Sequence, residues 1–169
     1  MNAREFLGGV PFFAEVLDAK QLDALAVGAR RVEFDHQSVL MRELDPGGAM
    51  FAIVSGTIEV STGHGGHASH VATLHPRDIV GEMSLLTGAR RSAKVTAIGP
   101  VVALEIDRAT LEPILAASPA LHDRFATMID MRRSELDRIY GHGFWTLYGV
   151  TRDQIASAIR SFFAPAKKV

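Results

Sequence analysis

The chain has 169 residues, 47% of them hydrophobic, enough for one domain with a sizeable core and too little for two ordinary ones. Its 18 basic and 19 acidic residues leave a formal charge of -1, which gives no electrostatic reason to expect nucleic acid or an anionic membrane as partner. The absence of cysteine excludes disulfides and thiolate metal sites, no window is long and apolar enough to span a bilayer, and the start lacks the basic-then-apolar design of a secretory signal, so a cytosolic location is the default.

Residues 2 to 27 read as short helical pieces. Asn2 caps a first turn carrying Phe6 and Leu7, and Pro11 interrupts before Phe12, Phe13, Val16 and Leu17 supply apolar anchors. Lys20 to Val27 places Leu22, Leu25 and Ala26 at helical spacing. These pieces are short and need a neighbouring surface.

From Ala29 to Ile106 the period changes. Arg31 to Phe34 and Ser38 to Met41 read as strands around an Asp35-His36-Gln37 turn, and Asp45-Pro46-Gly47-Gly48 is a strong turn signal before a strand at Met50 to Val54. Gly56 begins the next turn, and Thr57 to Ser61 alternates polar with apolar as a half-buried strand should. Val71 and Leu74 belong to another strand, followed later by Val95 to Ile98 and Val101 to Ile106 joined by a Gly99-Pro100 turn. Many short strands separated by glycine and proline turns argue for a closed or nearly closed antiparallel sheet, so the expected class is α+β with a jelly-roll-like β-barrel, short N-terminal helices and a long C-terminal helix.

Asp107 is positioned to cap a helix reaching Ala116, with Pro113 making its middle irregular, and Ser118 with Pro119 starts the longest helix. On that helix Leu121, Phe125, Met128, Ile129, Leu136 and Ile139 form an apolar stripe with Arg132 near its centre and Arg133 about 100° further round. A cation on an apolar face needs a partner or a stem long enough to reach water. Gly141-His142-Gly143 ends the helix, Phe144, Trp145, Leu147 and Tyr148 form an aromatic cluster, and Thr151 caps a final helix with Ile155, Ala158, Ile159 and Phe162 on one side. The division that follows is a domain over 1–140 and an extension over 141–169 with one helix packing on the domain or on a partner.

The chemistry concentrates in residues 80 to 95, V-G-E-M-S-L-L-T-G-A-R-R-S-A-K-V. Gly81 lets the backbone approach a ligand, Glu82 opens one helical turn through Leu85 and Leu86, and Gly88 turns the chain. Arg91 offers a permanently charged fork suited to phosphate oxygens, with the Ser92 hydroxyl and the Ala93 amide as adjacent donors. An acid and an arginine this close can serve one ligand, one accepting a hydroxyl and the other taking its phosphate.

This stretch resembles the phosphate-binding cassette of the cyclic-nucleotide-binding domain family, G-E-x-x-L-L-x-G-x-x-R-S/T-A-x-V, matching at Gly81, Glu82, Leu85, Leu86, Gly88, Arg91, Ser92, Ala93 and Val95. The wider resemblance runs from Gly9-Val10-Pro11-Phe12-Phe13 through Val54-Ser55-Gly56 to the long helix, covering roughly the first 140 residues. It departs from the family pattern where the usual glycine before the cassette's aspartate is Arg77, and where the aromatic position before Gly81 is Val80.

The resemblance implies a sensor that performs no chemistry on its ligand and needs no cofactor or metal. Arg91, Ser92 and Ala93 would take the cyclic phosphate, while Glu82 would accept the ribose 2'-hydroxyl with Gly81 and Met83 nearby. Leu74, Val80, Leu85 and Val95 would line the pocket or simply pack the core. Arg132 would close over the base as the long helix moves, or form a salt bridge on the outside of the barrel; Arg90 contributes field and solubility. Cyclic AMP is the first choice of ligand and cyclic GMP the alternative.

A structural or protein-interaction domain of the same fold without useful nucleotide affinity is the competing reading, and a metal-dependent cupin-like enzyme ranks third. His64, His67, His70 and His75 invite a metal, but their spacing crosses Gly65-Gly66 with no carboxylate pair to fix a tetrahedral shell. Some relatives carry a DNA-binding unit after the long helix; the single helix here, with Arg152 and Arg160, makes no dense phosphate-contact set. A sensory domain of this size is commonly attached to something else: an ion channel's cytosolic module and a kinase regulator are open alongside a freestanding bacterial receptor. The aromatic cluster folds back on the domain or forms a dimer surface.

Overall fold

Three short helices lead the chain in the computed structural model, which describes residues 1–63, 69–140 and 151–164. They are α1 (Ala3–Gly8), α2 (Pro11–Ala14) and α3 (Ala19–Gly28). Each start has a local cause. The Asn2 side chain accepts from the Arg4 amide, Pro11 occupies the first turn of α2 where its missing N–H is not needed, and Asp18 with Gln21 forms a reciprocal capping box on α3.

The strands follow as β1 (Arg30–Phe34), β2 (Val39–Met41), β3 (Ala49–Thr62), β4 (Ser69–Leu74) and β5 (Ile79–Val80), then helix α4 (Glu82–Thr87) and strand β6 (Lys94–Asp107). The last three elements are helices α5 (Arg108–Ala117), α6 (Ala120–Tyr140) and α7 (Arg152–Phe162). Helix α5 runs on through Pro113, held by the burial of Leu111, Ile114 and Leu115. On α6 the stripe is buried at Leu121, Phe125 and Ile129 but exposed at Ile139.

Two expectations are corrected here. The sheet is not a closed barrel: its strands run β1-β6-β3-β4, with β2 added to β6 and β5 to β3, and no pairing joins β1 to β4 among the described residues. Closure requires every strand to pair on both sides at a common tilt and stagger. Here β1 is five residues long and β4 six, and the charged Arg30, Arg31 and Glu33 mark the β1 edge, a composition that discourages further pairing.

Second, Gly56 and Gly99-Pro100 do not divide the strands into separate hairpins. β3 and β6 are each one 14-residue strand, paired antiparallel from Ala49 with Asp107 to Ser61 with Lys94. The register shifts on either side of Ser55 absorb the irregularity as bulges. Gly56 has a φ of 89°, and a Cβ there would fall 2.3 Å from the Pro100 carbonyl oxygen, so the glycine permits a bend where the two strands approach most closely.

Along residues 50–53 and 101–106 the two long strands are buried or half-buried on both faces because they separate two cores. Met50, Ala52, Leu104 and Ile106 face a helical core shared with Leu7, Phe13, Leu25, Phe125 and Ile159. Phe51, Ile53, Val101 and Ala103 face a second core between the layers of the folded sheet, with Ile58, Val60, Leu74 and Val95. Histidines 64 and 67, the Phe144 to Tyr148 cluster and the Gly141-His142-Gly143 segment lie outside the described residues. No helix among the described residues is long and apolar enough to cross a membrane.

Arg77 has a φ of 75°, the left-handed conformation that glycine occupies without steric penalty. Arg77→Gly is therefore expected to raise stability by roughly 0.5 kcal/mol or more, read as a higher melting temperature. A second prediction concerns the start of α5. The hydroxyl and then the backbone amide of Thr110 donate to the Asp107 carboxylate and hold its pKa below the ordinary value. Asp107→Ala is expected to cost about 1 kcal/mol at neutral pH. A depressed carboxyl stabilises fully above its unfolded value of about 4 and loses that contribution as pH falls through the lower folded value, so urea melts of wild type and variant should begin to converge as pH falls below about 4 and do so fully only below the folded value.

Candidate functional site

The candidate site is built where the two cores meet, around α4. Leu85 and Leu86 of this six-residue helix are fully buried in the helical core, while the flanking Val80 and Ala93 belong to the sheet core. The residues between these anchors line a cleft with about 530 Å³ of empty space, its open mouth included.

All nine residues anticipated as a binding set line that one cleft. Gly81, Glu82 and Met83 come from the start of α4, and Arg91, Ser92 and Ala93 from the segment entering β6. Leu74 and Val80 form part of the apolar wall, and Arg132 reaches in from α6. Val95, read as lining or core, does both. Arg90 points away and donates to the Leu44 carbonyl at 3.0 Å from an exposed position.

Arg91 is only 7% exposed. Its backbone is pinned to the turn after β2, the Arg91 amide donating to the Asp45 carbonyl at 2.8 Å and the Leu44 amide donating to the Arg91 carbonyl at 2.8 Å. The guanidinium is held equally firmly. One terminal nitrogen donates to the Gly81 carbonyl at 3.0 Å and the other to the Ala49 carbonyl at 2.5 Å. Burial pulls its pKa below the ordinary arginine value, and the Glu82 carboxylate pulls it partly back. An arginine stays charged even so, which leaves a fixed positive charge in the cleft wall.

Gly81 makes this geometry accessible. A Cβ there would fall 2.6 Å from an Arg91 terminal nitrogen and 2.4 Å from the Met41 Cε, so a side chain at 81 would displace the guanidinium.

Glu82, 4% exposed, faces a second cation. Arg132 Nε lies 3.0 Å from Glu82 Oε1, and an Arg132 terminal nitrogen donates to the Ile79 carbonyl. The Nε is buried and not aligned for a hydrogen bond, so its link to Glu82 is an ion pair. The cation on the apolar face of α6 thus finds a partner across the cleft, neither snorkelling outward nor resting on the outside of the sheet.

Helix α7 covers the back of the cassette. The Phe162 ring lies against Gly88, 2.6 Å from where a Cβ would stand. Arg108 stacks over that ring at 4.1 Å and donates to the Phe162 carbonyl at 2.8 Å, and Arg160 pairs with Asp123 of α6 at 2.6 Å. The residues that face inward on α7 are Ile155, Ala156 and Ile159, with Ala158 and Phe162 half-buried.

Sequence reasoning missed Met41, Val60, Val71, Ala72 and Ser84 as lining residues. Period-2 alternation marks Val60 as inward-facing, but not which of two cores it faces. Met41 sits on a three-residue strand too short to carry a periodic signal. His70 and His75 are exposed, and no cluster of metal-ligating side chains occurs among the described residues.

Comparison with known proteins places this geometry. The profile of the cyclic nucleotide-binding domain matches residues 31–118, more than half of the chain. The chain is 39% identical over 108 residues to a cAMP-dependent protein kinase regulatory subunit of Dictyostelium discoideum, covering 62% of this chain and 33% of that protein. It is 29% identical over 135 residues to a cyclic nucleotide-gated potassium channel of Mesorhizobium japonicum, covering 79% of this chain and 34% of the channel. The chain thus spans about a third of the length of these relatives. Among solved structures, the regulatory domain of Toxoplasma gondii PKA with cAMP superposes with a TM-score of 0.66 at 23% identity, over 92% of this chain and 55% of that one, a likeness of fold.

The buried pair yields a prediction. Removing one partner of such a pair leaves the other charge uncompensated, at a cost of about 3 kcal/mol, whereas removing both charges is much milder. Arg132→Met is expected to destabilise the domain by that amount in chemical denaturation, and adding Glu82→Gln to recover most of the loss. Additive single-variant losses would show that the two side chains act independently.

Proposed function

The chain belongs to the cyclic nucleotide-binding domain family, and on that premise we propose that the cleft beside α4 binds a 3',5'-cyclic nucleotide, cyclic AMP in preference to cyclic GMP, and reports its occupancy through α6. The observation that carries this reading is the Arg91 guanidinium, buried in the cleft wall, held by two main-chain carbonyls, and sharing the cleft with the Glu82 carboxylate. A ligand with one negative phosphate and a ribose hydroxyl has a complementary group for each. The name of the Dictyostelium relative, a cAMP-dependent kinase regulator, supports cyclic AMP as first choice.

Binding proceeds by charge pairing without making or breaking a covalent bond. The ring phosphate approaches Arg91, with the Ser92 hydroxyl and Ala93 amide as further donors, and the ribose hydroxyl donates to Glu82. Glu82 then no longer holds Arg132 alone, so the arginine is free to pack on the purine face, where a cation contributes about 0.5 to 2 kcal/mol. Because Arg132 is rooted in α6, this exchange shifts the helix relative to the sheet, and the size of the shift is set by the ligand's differential affinity for the two arrangements. The effector is a fused or associated module, a channel or a kinase regulator.

One observation favours the second reading, a structural domain without useful affinity. Both Arg91 terminal nitrogens and the Glu82 carboxylate already have partners within the chain. Calorimetric titration separates the two. Wild type is expected to bind cyclic AMP more tightly than cyclic GMP, and Arg91→Ala to weaken binding at least tenfold, since each charge-assisted hydrogen bond contributes roughly 1.5 to 3 kcal/mol and about 1.4 kcal/mol is one decade. No measurable heat with either nucleotide, at concentrations up to the millimolar range, would leave the structural reading standing.

A further inference from the structure

Helix α7 is placed to hold the cassette helix rather than to touch a ligand. The domain profile ends at residue 118, α7 lies beyond it, and among the described residues none of α7 lines the cleft. Its inward face nevertheless belongs to the core in which α4 is anchored: Ile155, Ala156, Ile159 and Phe163 are buried in one cluster with Leu85 and Leu86. A six-residue helix has too few hydrogen bonds of its own to persist, so α4 keeps its place through the cover those two leucines receive.

The point of contact is Gly88, the residue that ends α4 with a φ of 76°. The Phe162 ring occupies the space that a side chain at 88 would fill, and Arg108 holds that ring from the other side while donating to the Phe162 carbonyl. That carbonyl follows the last full turn of α7, where backbone acceptors lack partners within the helix. The remaining fastenings, Arg160 to Asp123 and Arg152 to the Thr127 hydroxyl, are exposed and contribute little. Phe162 therefore carries the link between α7 and the cassette. Arg91 feels both ends of α4: only Ala89 and Arg90 separate it from Gly88, and its guanidinium donates to the Gly81 carbonyl at the helix start. A displacement of Gly88 is thus a displacement of the phosphate site.

We propose that Phe162 is a positioning residue for the nucleotide site: α7 docked at Gly88 holds the cassette in the arrangement that receives the ligand, and an occupied site in turn holds α7 down. The proposal rests on the binding function inferred above and adds to it a second reporter of occupancy, separate from Arg132 and α6. The two effects are one coupling. If docking of α7 raises affinity for the ligand by some factor, the ligand raises the docking equilibrium of α7 by the same factor.

The test joins calorimetry to hydrogen exchange. Phe162→Ala is expected to bind cyclic AMP at least about fivefold more weakly than wild type, the lower end of ordinary coupling between sites, and Phe162→Tyr, which keeps the ring, to retain wild-type affinity. In wild type, saturating cyclic AMP should slow exchange of the α7 backbone amides by a similar factor, measured against α3, which packs on α1 and α5 away from the cassette. Phe162→Ala should abolish that extra slowing. The exchange comparison in wild type needs no substitution, so it decides the matter even where the alanine variant fails to fold. Equal affinity of wild type and Phe162→Ala for cyclic AMP, or slowing in α7 no greater than in α3, overturns the positioning role while the Arg91 result stands. Failure of wild type to bind cyclic AMP at all overturns the binding function itself, and this proposal with it.

Discussion

The arrangement depends on one buried positive charge. Taking a guanidinium out of water is expensive, and the chain offsets part of that cost for Arg91 with main-chain acceptors: the Gly81 and Ala49 carbonyls each accept from one terminal nitrogen, and the Asp45 carbonyl holds the residue's backbone amide. These acceptors come from the start of β3, the turn before it and the approach to α4, so one side chain ties together the turn, the strand and the helix start. The arginine is thus a structural tie as well as a lining residue of the cleft. Its lowered pKa reflects the burial, and the Glu82 carboxylate limits the fall.

The tie also explains why α4 is so short. Six residues cannot stabilise a helix by their own hydrogen bonds, so its position is set by what holds its two faces. Leu85 and Leu86 enter the helical core, Val80 and Ala93 on either side enter the sheet core, and Phe162 of α7 closes the back at Gly88. An element anchored in two cores is sensitive to any change in their relative position. Under the proposed function, ligand binding at its open side and helix packing at its closed side would act on the same small lever, and α6 touches both through Arg132 and through its packing against α7.

The residues that line the cleft were more legible in the sequence than the sheet that carries them. The cassette was readable because its residue types answer to local demands: a glycine where the guanidinium passes within a methyl's width, an arginine with a planar fork, two leucines on one side of a single helical turn. The sheet was misread as closed because its turns were inferred from Gly56 and Gly99-Pro100. A glycine in a strand can mark a hairpin or a bulge, and only pairing across the sheet decides between them. The partner of Arg132 was hidden for a similar reason. Glu82 lies 50 positions earlier, and periodicity on a helix says which face a residue takes but not what stands opposite.

The cleft balances its own charges, and this sets the terms on which a ligand can enter. Arg91 is satisfied by carbonyls, which are neutral, so an anion adds Coulomb attraction that the protein alone cannot supply. Glu82 is satisfied by Arg132, which is charged, so a ribose hydroxyl offers it less than it already has. Phosphate binding is therefore the favourable half of the exchange, and the ribose half proceeds only if Arg132 gains elsewhere, by stacking on the base or by keeping a share of the carboxylate. A ligand lacking the base would meet Arg91 but leave Arg132 where it is. Under the proposed function, affinity would reside at β6 and α4 and the signal in the arginine that changes partners, so that substitution at 91 and at 132 would alter the two separately.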